Sequence, residues 1–78
     1  MKILHQDIVG PMTVSYYNWN GKFIVKIELD AYEQTYKINE MDVNSLEKVK
    51  ELIHTNHFLT KVFERFQSMD EDLSSLLN

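Results

Sequence analysis

Cysteine is absent from this chain, and glycine and proline are scarce, at two and one of 78 residues. Without cysteine the protein cannot form a disulfide framework or a thiolate metal site. A phosphate-binding loop needs several backbone amides free of side-chain crowding, and two glycines that serve turns leave none for it. These absences exclude disulfide-stapled proteins, thiolate metalloproteins and proteins with a glycine-rich phosphate loop.

The chain also contains fewer basic than acidic residues. Eight Lys and Arg residues stand against twelve Asp and Glu residues, so the formal net charge is −4. Proteins that bind nucleic acid over much of their surface usually carry the opposite sign. No apolar stretch is long enough to cross a bilayer, and residues 1–7 lack the apolar core of a signal peptide. We therefore expect a cytoplasmic protein with no membrane partner.

The remaining composition is that of an ordinary globular domain. Hydrophobic residues make up 44% of the chain, aromatic residues 12% and charged residues 26%. Disordered chains contain fewer hydrophobic residues and more net charge. A chain of 78 residues has room for one core, so we expect a single domain over residues 1–78.

A β-hairpin is the clearest local prediction. Asn20 and Gly21 lie between two alternating segments, 12–19 and 22–29. Both central positions of a type I′ turn have positive φ, which Asn-Gly accepts at low cost. A two-residue turn also sets the register and puts the apolar residues of both strands on one face. The predicted pairs are Trp19 with Lys22, Tyr17 with Ile24, Tyr16 with Val25, and Val14 with Ile27.

A third strand is predicted over residues 34–39, after a loop over residues 30–33. This loop would continue the apolar face across an antiparallel meander. The expected pairs are Tyr36 with Ile27 and Ile38 with Val25. Residues 3–9 are apolar enough for a fourth strand next to the first, with Gly10-Pro11 as a bend, and the sequence leaves this alternative open.

Helical periodicity replaces alternation after Asn39. Asp42 or Asn44 is the predicted cap of a first helix that ends near residues 54–56. A second helix is predicted over residues 57–77, about 31 Å long, with a restart at residues 68–71 as the alternative. Its apolar stripe comprises Phe58, Leu59, Val62, Phe63, Phe66, Met69, Leu73, Leu76 and Leu77.

The predicted fold is α+β: a three-stranded antiparallel meander, or a four-stranded one, followed by two helices on one sheet face, the second helix long. An eight-residue strand spans about 26 Å, so the long helix should overhang the sheet. The overhang favours a homodimer, because a second copy can cover apolar residues that the chain cannot. The alternatives are a helix end that folds back or frays. The predicted dimer helix contains Phe66, Met69, Leu73, Leu76 and Leu77.

No catalytic pattern stands out. His54 and His57, with Glu51 before them, have spacing that zinc ligands can use, but the helix breaks there and no fourth ligand is evident. We interpret both histidines as solvent-exposed. The acidic run over residues 70–72 is interpreted as a solvated helix face. We therefore expect no enzyme activity, no metal and no cofactor.

The register also predicts a second sheet face, termed the open face, whose candidate binding residues are Tyr17, Trp19, Lys22, Ile24, Lys26 and Lys37. A protein partner is the leading interpretation, because exposed aromatic patches often mark protein interfaces. Single-stranded nucleic acid is the alternative, since aromatics stack on bases and lysines neutralise phosphates. The same residues also stabilise a sheet with no ligand. An inverted assembly, with the helices on this face, stays open.

Overall fold

Alternating side chains and two-residue turns build the N-terminal half of the protein, in a computed structural model that describes residues 2–78. The four strands are β1 (Lys2–Val9), β2 (Met12–Trp19), β3 (Lys22–Leu29) and β4 (Tyr32–Asn39). They lie in the sheet in chain order, each antiparallel to the next. The predicted meander is confirmed, and the N-terminal strand that the sequence left open is present as β1.

The β2–β3 hairpin has the predicted turn and register. Asn20 has φ 54° and Gly21 has φ 76°, so both central residues adopt the left-handed conformation that a type I′ turn requires. Trp19 pairs with Lys22 and Tyr17 with Ile24, as the turn length dictates. Local turn chemistry and hydrophobic alternation therefore specify the same hairpin.

The predicted register of the last strand is wrong by two residues. Tyr36 pairs with Val25 rather than Ile27, and β4 begins at Tyr32 rather than Gln34. The cause is Asp30, whose φ of 53° allows a two-residue turn in place of the expected four-residue loop. The shift equals one full period of a strand, so the apolar side chains keep their face.

Three helices follow the sheet: α1 (Glu40–Val43), α2 (Leu46–Ile53) and α3 (Phe58–Leu77). The predicted cap at Asp42 or Asn44 is wrong. The Ser45 hydroxyl accepts a hydrogen bond from the Lys48 backbone N–H at 3.2 Å and caps α2, while Asn44 ends α1 with φ 69°. The long helix is confirmed almost to its predicted bounds, and it continues through residues 68–71 without a restart.

The helices pack on the apolar sheet face. Val14, Val25 and Ile27 from the central strands share one buried cluster with helical residues such as Val49 and Val62. This placement excludes the inverted assembly, and the open face lies on the other side of the sheet. Within residues 2–78, no helix has both the length and the apolar character needed to cross a membrane.

Candidate interaction surfaces

The last two turns of α3 leave the body of the protein. The Tyr32 hydroxyl donates a hydrogen bond to Asp70 at 2.9 Å, at the corner of the sheet where the β3–β4 turn lies. Every residue from 71 to 78 is exposed. At 1.5 Å per residue the helix extends about 10 Å beyond Asp70. Residues 71–77 are termed the tail.

The tail carries apolar side chains that have no cover from the rest of the chain. Leu76 is 78% exposed and Leu77 is 75% exposed, while Leu73, the tail leucine nearest the core, is 39% exposed. All three continue the apolar stripe that packs on the sheet further back along α3. The tail therefore exposes to solvent the kind of apolar side chains that are buried in the rest of α3.

The five residues predicted for a dimer helix fall into two groups. Phe66 is 1% exposed and belongs to the core of the single chain, and Met69 packs against that core. Leu73, Leu76 and Leu77 are the members available to a partner. The sequence showed one continuous stripe, and only the position of the sheet corner separates its buried part from its exposed part.

An apolar groove of about 330 Å³ lies between the β1–β2 turn and the first turns of α3. Val9, Pro11 and Met12 form one wall, and Leu59, Thr60 and Phe63 form the other. The sequence interpretation missed this groove. The available signal was the apolar character of the residues on both sides of the Gly10-Pro11 bend.

The open face is present with its predicted residues. Strand pairing puts Tyr17, Ile24 and Lys37 side by side across β2, β3 and β4. Trp19 is 55% exposed, whereas Ile24 is only 6% exposed in the middle of the sheet. The side chains open to a partner are therefore the aromatics and lysines around Ile24.

Glu33 makes the open face less positive than its three predicted lysines alone would make it. Because β4 begins early, Glu33 lies in the strand opposite Glu28 and not in a loop. The Glu33 carboxylate is 3.8 Å from the Lys26 ammonium, which also lies 5.9 Å from the centre of the Tyr17 ring. The positive charge that remains lies at Lys22 and Lys37, at the end of the sheet nearest Trp19.

β1 adds apolar area to the open face. A bulge between Ile3 and His5 shifts its register, so that Ile3 pairs with Tyr17. Ile3 and Ile8 are both exposed, and the Gln6 amide donates a hydrogen bond to the Ser15 hydroxyl at 2.9 Å. Such a bulge also protects an edge strand from pairing with other chains.

A polar cluster lies on the opposite, helix-covered side of β1 and β2. His5 Nε2 lies 2.7 Å from a carboxylate oxygen of Asp7, and the His5 ring is 5.8 Å from the ring of Tyr16. Burial, together with the smaller effect of the nearby Asp7 charge, raises the pKa of Tyr16 to about 12. The Tyr16 hydroxyl is buried and has no hydrogen-bond partner among residues 2–78. A substrate could not reach it without opening the core.

The two histidines that raised a metal hypothesis lie at the α2–α3 junction. His54 ends α2 and His57, with φ 58°, precedes α3, so the two are not on one continuous helix. They line a cleft of about 310 Å³. In the part of the chain that the structure describes, no three His, Asp or Glu side chains lie close enough together to hold a metal ion.

Comparison with family models, curated proteins and solved structures finds no match to the chain. The interpretation of function therefore depends on the surfaces of the molecule itself.

Proposed function

We propose that the protein is a small interaction domain that forms a homodimer through the tail of α3. The observation that carries the proposal is the exposure of Leu76 and Leu77 on a helix whose apolar residues from Phe58 to Met69 belong to the core or pack against it. The proposed function is non-enzymatic, because the features that support the proposal are apolar contact surfaces.

The energy available from the tail supports this proposal. Full burial of one leucine contributes about 1.5–3 kcal/mol, so four mostly exposed leucines in a dimer supply roughly 6–12 kcal/mol. Association costs about 4–15 kcal/mol in lost freedom of motion. The two ranges overlap, which favours a reversible dimer over a permanent one.

The test is light scattering coupled to size-exclusion chromatography on three proteins. The unaltered chain and a Ser75→Gln control, changed on the polar side of the tail, should both elute as dimers at high concentration. The double variant Leu76→Gln, Leu77→Gln keeps helix-forming side chains but removes the apolar surface, and it should elute as a monomer. A monomeric unaltered chain at every concentration would contradict the proposal.

A second candidate function is binding of single-stranded nucleic acid on the open face. It is supported by exposed Trp19 beside Tyr17, with Lys22 and Lys37 at the same end of the sheet. Binding should change Trp19 fluorescence and weaken steeply with salt. The variant Lys22→Gln, Lys37→Gln should bind less, while Lys48→Gln on α2 serves as the control. Absent or salt-insensitive binding would reject this candidate.

The cytoplasmic location stays a prediction, which cell fractionation tests.

A further inference from the structure

We infer that β4, an edge strand of the sheet, pairs antiparallel with β4 of a second copy, so that the two sheets join into one continuous sheet. The two-fold axis passes through Thr35 and puts Glu33 of each chain opposite Lys37 of the other. This contact uses no residue of the tail, so the inference goes beyond the proposed function.

The backbone of β4 has hydrogen-bonding groups that point away from β3. Tyr32 and Leu29 flank the two-residue β3–β4 turn and form the first hydrogen-bonded pair of that ladder. Every second residue of β4 then bonds to β3, and the Glu40 N–H continues this alternation by donating to the Gly21 carbonyl at 3.1 Å. The residues whose N–H and C=O groups point outwards are therefore Glu33, Thr35, Lys37 and Asn39. All of them are exposed, and no turn, loop or helix within residues 2–78 bonds to their backbone.

β4 is also less protected against strand addition than the opposite edge of the sheet. β1 carries a bulge between Ile3 and His5 that interrupts its register. The pairing of β4 with β3 is regular over all eight residues of the strand, and β4 contains no proline. A regular edge of this length can pair with another strand.

The charges on β4 indicate which strand fits this edge. Glu33 lies directly opposite Glu28 of β3, and like charges in this position repel. Lys26, at 3.8 Å from Glu33, offsets only one of these two negative charges. Lys37 forms no salt bridge within residues 2–78. A complementary strand therefore carries a positive group opposite Glu33 and a negative group opposite Lys37.

A second copy of β4 supplies both groups. In the antiparallel arrangement about Thr35, Glu33 of each chain lies opposite Lys37 of the other chain. The paired residues are those whose backbone groups point outwards, so each pair exchanges two hydrogen bonds, about six in total. Moving the axis to Gln34 or Tyr36 removes both opposite-charge pairs. The spacing of charge on β4 therefore favours a second copy, and it selects one register.

The helix-covered side of the sheet is compatible with this register. Tyr32 of each chain lies opposite Ile38 of the other, and an aromatic side chain beside a β-branched one stabilises neighbouring strands. Both residues are half-buried and pack against the core of their own chain. The acidic run of α3 contacts the sheet on this side through Asp70 and Tyr32, so it does not face the pairs of Glu33 with Lys37.

The strand contact and the tail can act in one dimer. The Phe58 and Tyr36 rings lie 5.2 Å apart, and Asp70 accepts its hydrogen bond from Tyr32, so α3 runs antiparallel to β4. The tail therefore leaves the sheet at the end of β4 that faces Ile38 of the second copy. One two-fold axis can serve both contacts, and the assembly then closes as a dimer.

Exchange of the two charges tests the inference by sedimentation. Glu33→Lys and Lys37→Glu each put like charges opposite each other, so either variant alone should self-associate about ten-fold more weakly than the unaltered chain. An equimolar mixture restores opposite charges at both positions and should associate as tightly as the unaltered chain. Lys48→Glu on α2 is the matched control, since it changes the net charge as Lys37→Glu does, and it should leave association unchanged.

A disulfide reports the register, since the unaltered chain has no cysteine. Thr35→Cys puts both cysteines on the axis with Cα atoms about 5.5 Å apart, so mild oxidation should give a covalent dimer. Asn39→Cys lies on the same side of the same strand, roughly 26 Å from its copy in this register. It is the matched control and should cross-link several-fold less.

Two sets of results would overturn the inference in distinguishable ways. The β4 edges do not pair in this register if Glu33→Lys and Lys37→Glu associate as the unaltered chain does, or if their mixture fails to recover the lost association. A monomeric Leu76→Gln, Leu77→Gln variant would in that case leave the proposed function standing. An unaltered chain that is monomeric at every concentration would remove both the strand contact and the proposed function.

Discussion

The Tyr32 hydroxyl donates a hydrogen bond to the Asp70 carboxylate at 2.9 Å and joins the first residue of β4 to α3 just before the tail. This contact places the corner of the sheet against the helix. The apolar residues of α3 before this contact pack into the core, and all residues after it are exposed. The point at which Tyr32 contacts α3 therefore marks where the apolar stripe of α3 changes from buried to exposed.

The Tyr32–Asp70 contact should be detectable as an energetic coupling. Asp70 raises the pKa of Tyr32 by accepting this hydrogen bond and by its negative charge. Tyr32→Phe should lower the thermal midpoint slightly at neutral pH, and the change should vanish in an Asp70→Asn background. A full double-mutant cycle by thermal unfolding measures the coupling. Equal effects of Tyr32→Phe in both backgrounds would show that the bond contributes nothing.

The buried Tyr16 hydroxyl predicts a variant that is more stable than the unaltered chain. An unpaired buried polar group costs about 1–3 kcal/mol, and Tyr16→Phe removes it while leaving the ring in place. The free energy of unfolding at neutral pH should rise by about 1 kcal/mol in urea denaturation. A loss of stability would indicate that the hydroxyl has a hydrogen-bond partner after all.

Tyr16 also predicts a loss of stability at alkaline pH. Burial and Asp7 raise its pKa from 10.0 to about 12, so the folded state keeps a proton that the unfolded chain releases. This contribution is full below pH 10 and is lost as the pH rises from about 10 to about 12, to a total of roughly 2–3 kcal/mol. Urea midpoints of the unaltered chain should fall more steeply over this range than those of Tyr16→Phe. Parallel pH profiles would contradict the assignment.

Removing glycine from one tight turn should lower stability, whereas introducing glycine into the other should leave stability unchanged or raise it. Gly21 has φ 76° and open space around its Cβ position, so Gly21→Ala costs only backbone strain, about 1–2 kcal/mol. Asp30 adopts φ 53° without being glycine, so Asp30→Gly should leave stability unchanged or raise it by up to about 1 kcal/mol. Urea unfolding of both variants checks this order. A larger loss for Asp30→Gly than for Gly21→Ala would mean that the Asp30 side chain stabilises its turn.

The two parts of the α3 stripe should differ sharply on truncation. Phe66 is buried, and Phe66→Ala should cost about 3–5 kcal/mol because it leaves a cavity. Leu76→Ala should change the unfolding free energy of the dilute monomer by less than about 0.5 kcal/mol. Unfolding at low protein concentration compares them without dimerisation. A large effect of Leu76→Ala under those conditions would mean that the tail packs on its own chain.

The sequence predicts best what local chemistry determines. Asn20-Gly21 specifies its turn by local conformational preference alone, and all the predicted residue pairs of the β2–β3 hairpin are present. Asp30 is different, because an aspartate enters the left-handed conformation only when the flanking strands favour it. Likewise, Ser45 and not Asn44 caps α2. When two adjacent polar residues can both cap a helix, the sequence does not show which of them does so.

The surfaces were harder to predict than the fold, because they depend on relative positions of distant elements. The open-face residues followed from strand alternation, but Glu33 was assigned to a loop, so the charge of that face was overestimated. The bulge that puts Ile3 opposite Tyr17 had no local signature. The groove combines the β1–β2 turn with α3, and only the packed structure brings those segments together.

Self-association is the central claim, and sedimentation equilibrium of the unaltered chain tests it most directly. The chain has a mass of 9.3 kDa. The account predicts a weight-average mass that stays near this value on dilution and rises towards twice it as the protein is concentrated. A mass equal to that of the single chain at all concentrations would contradict the account, because the exposed leucines of the tail would then have no partner.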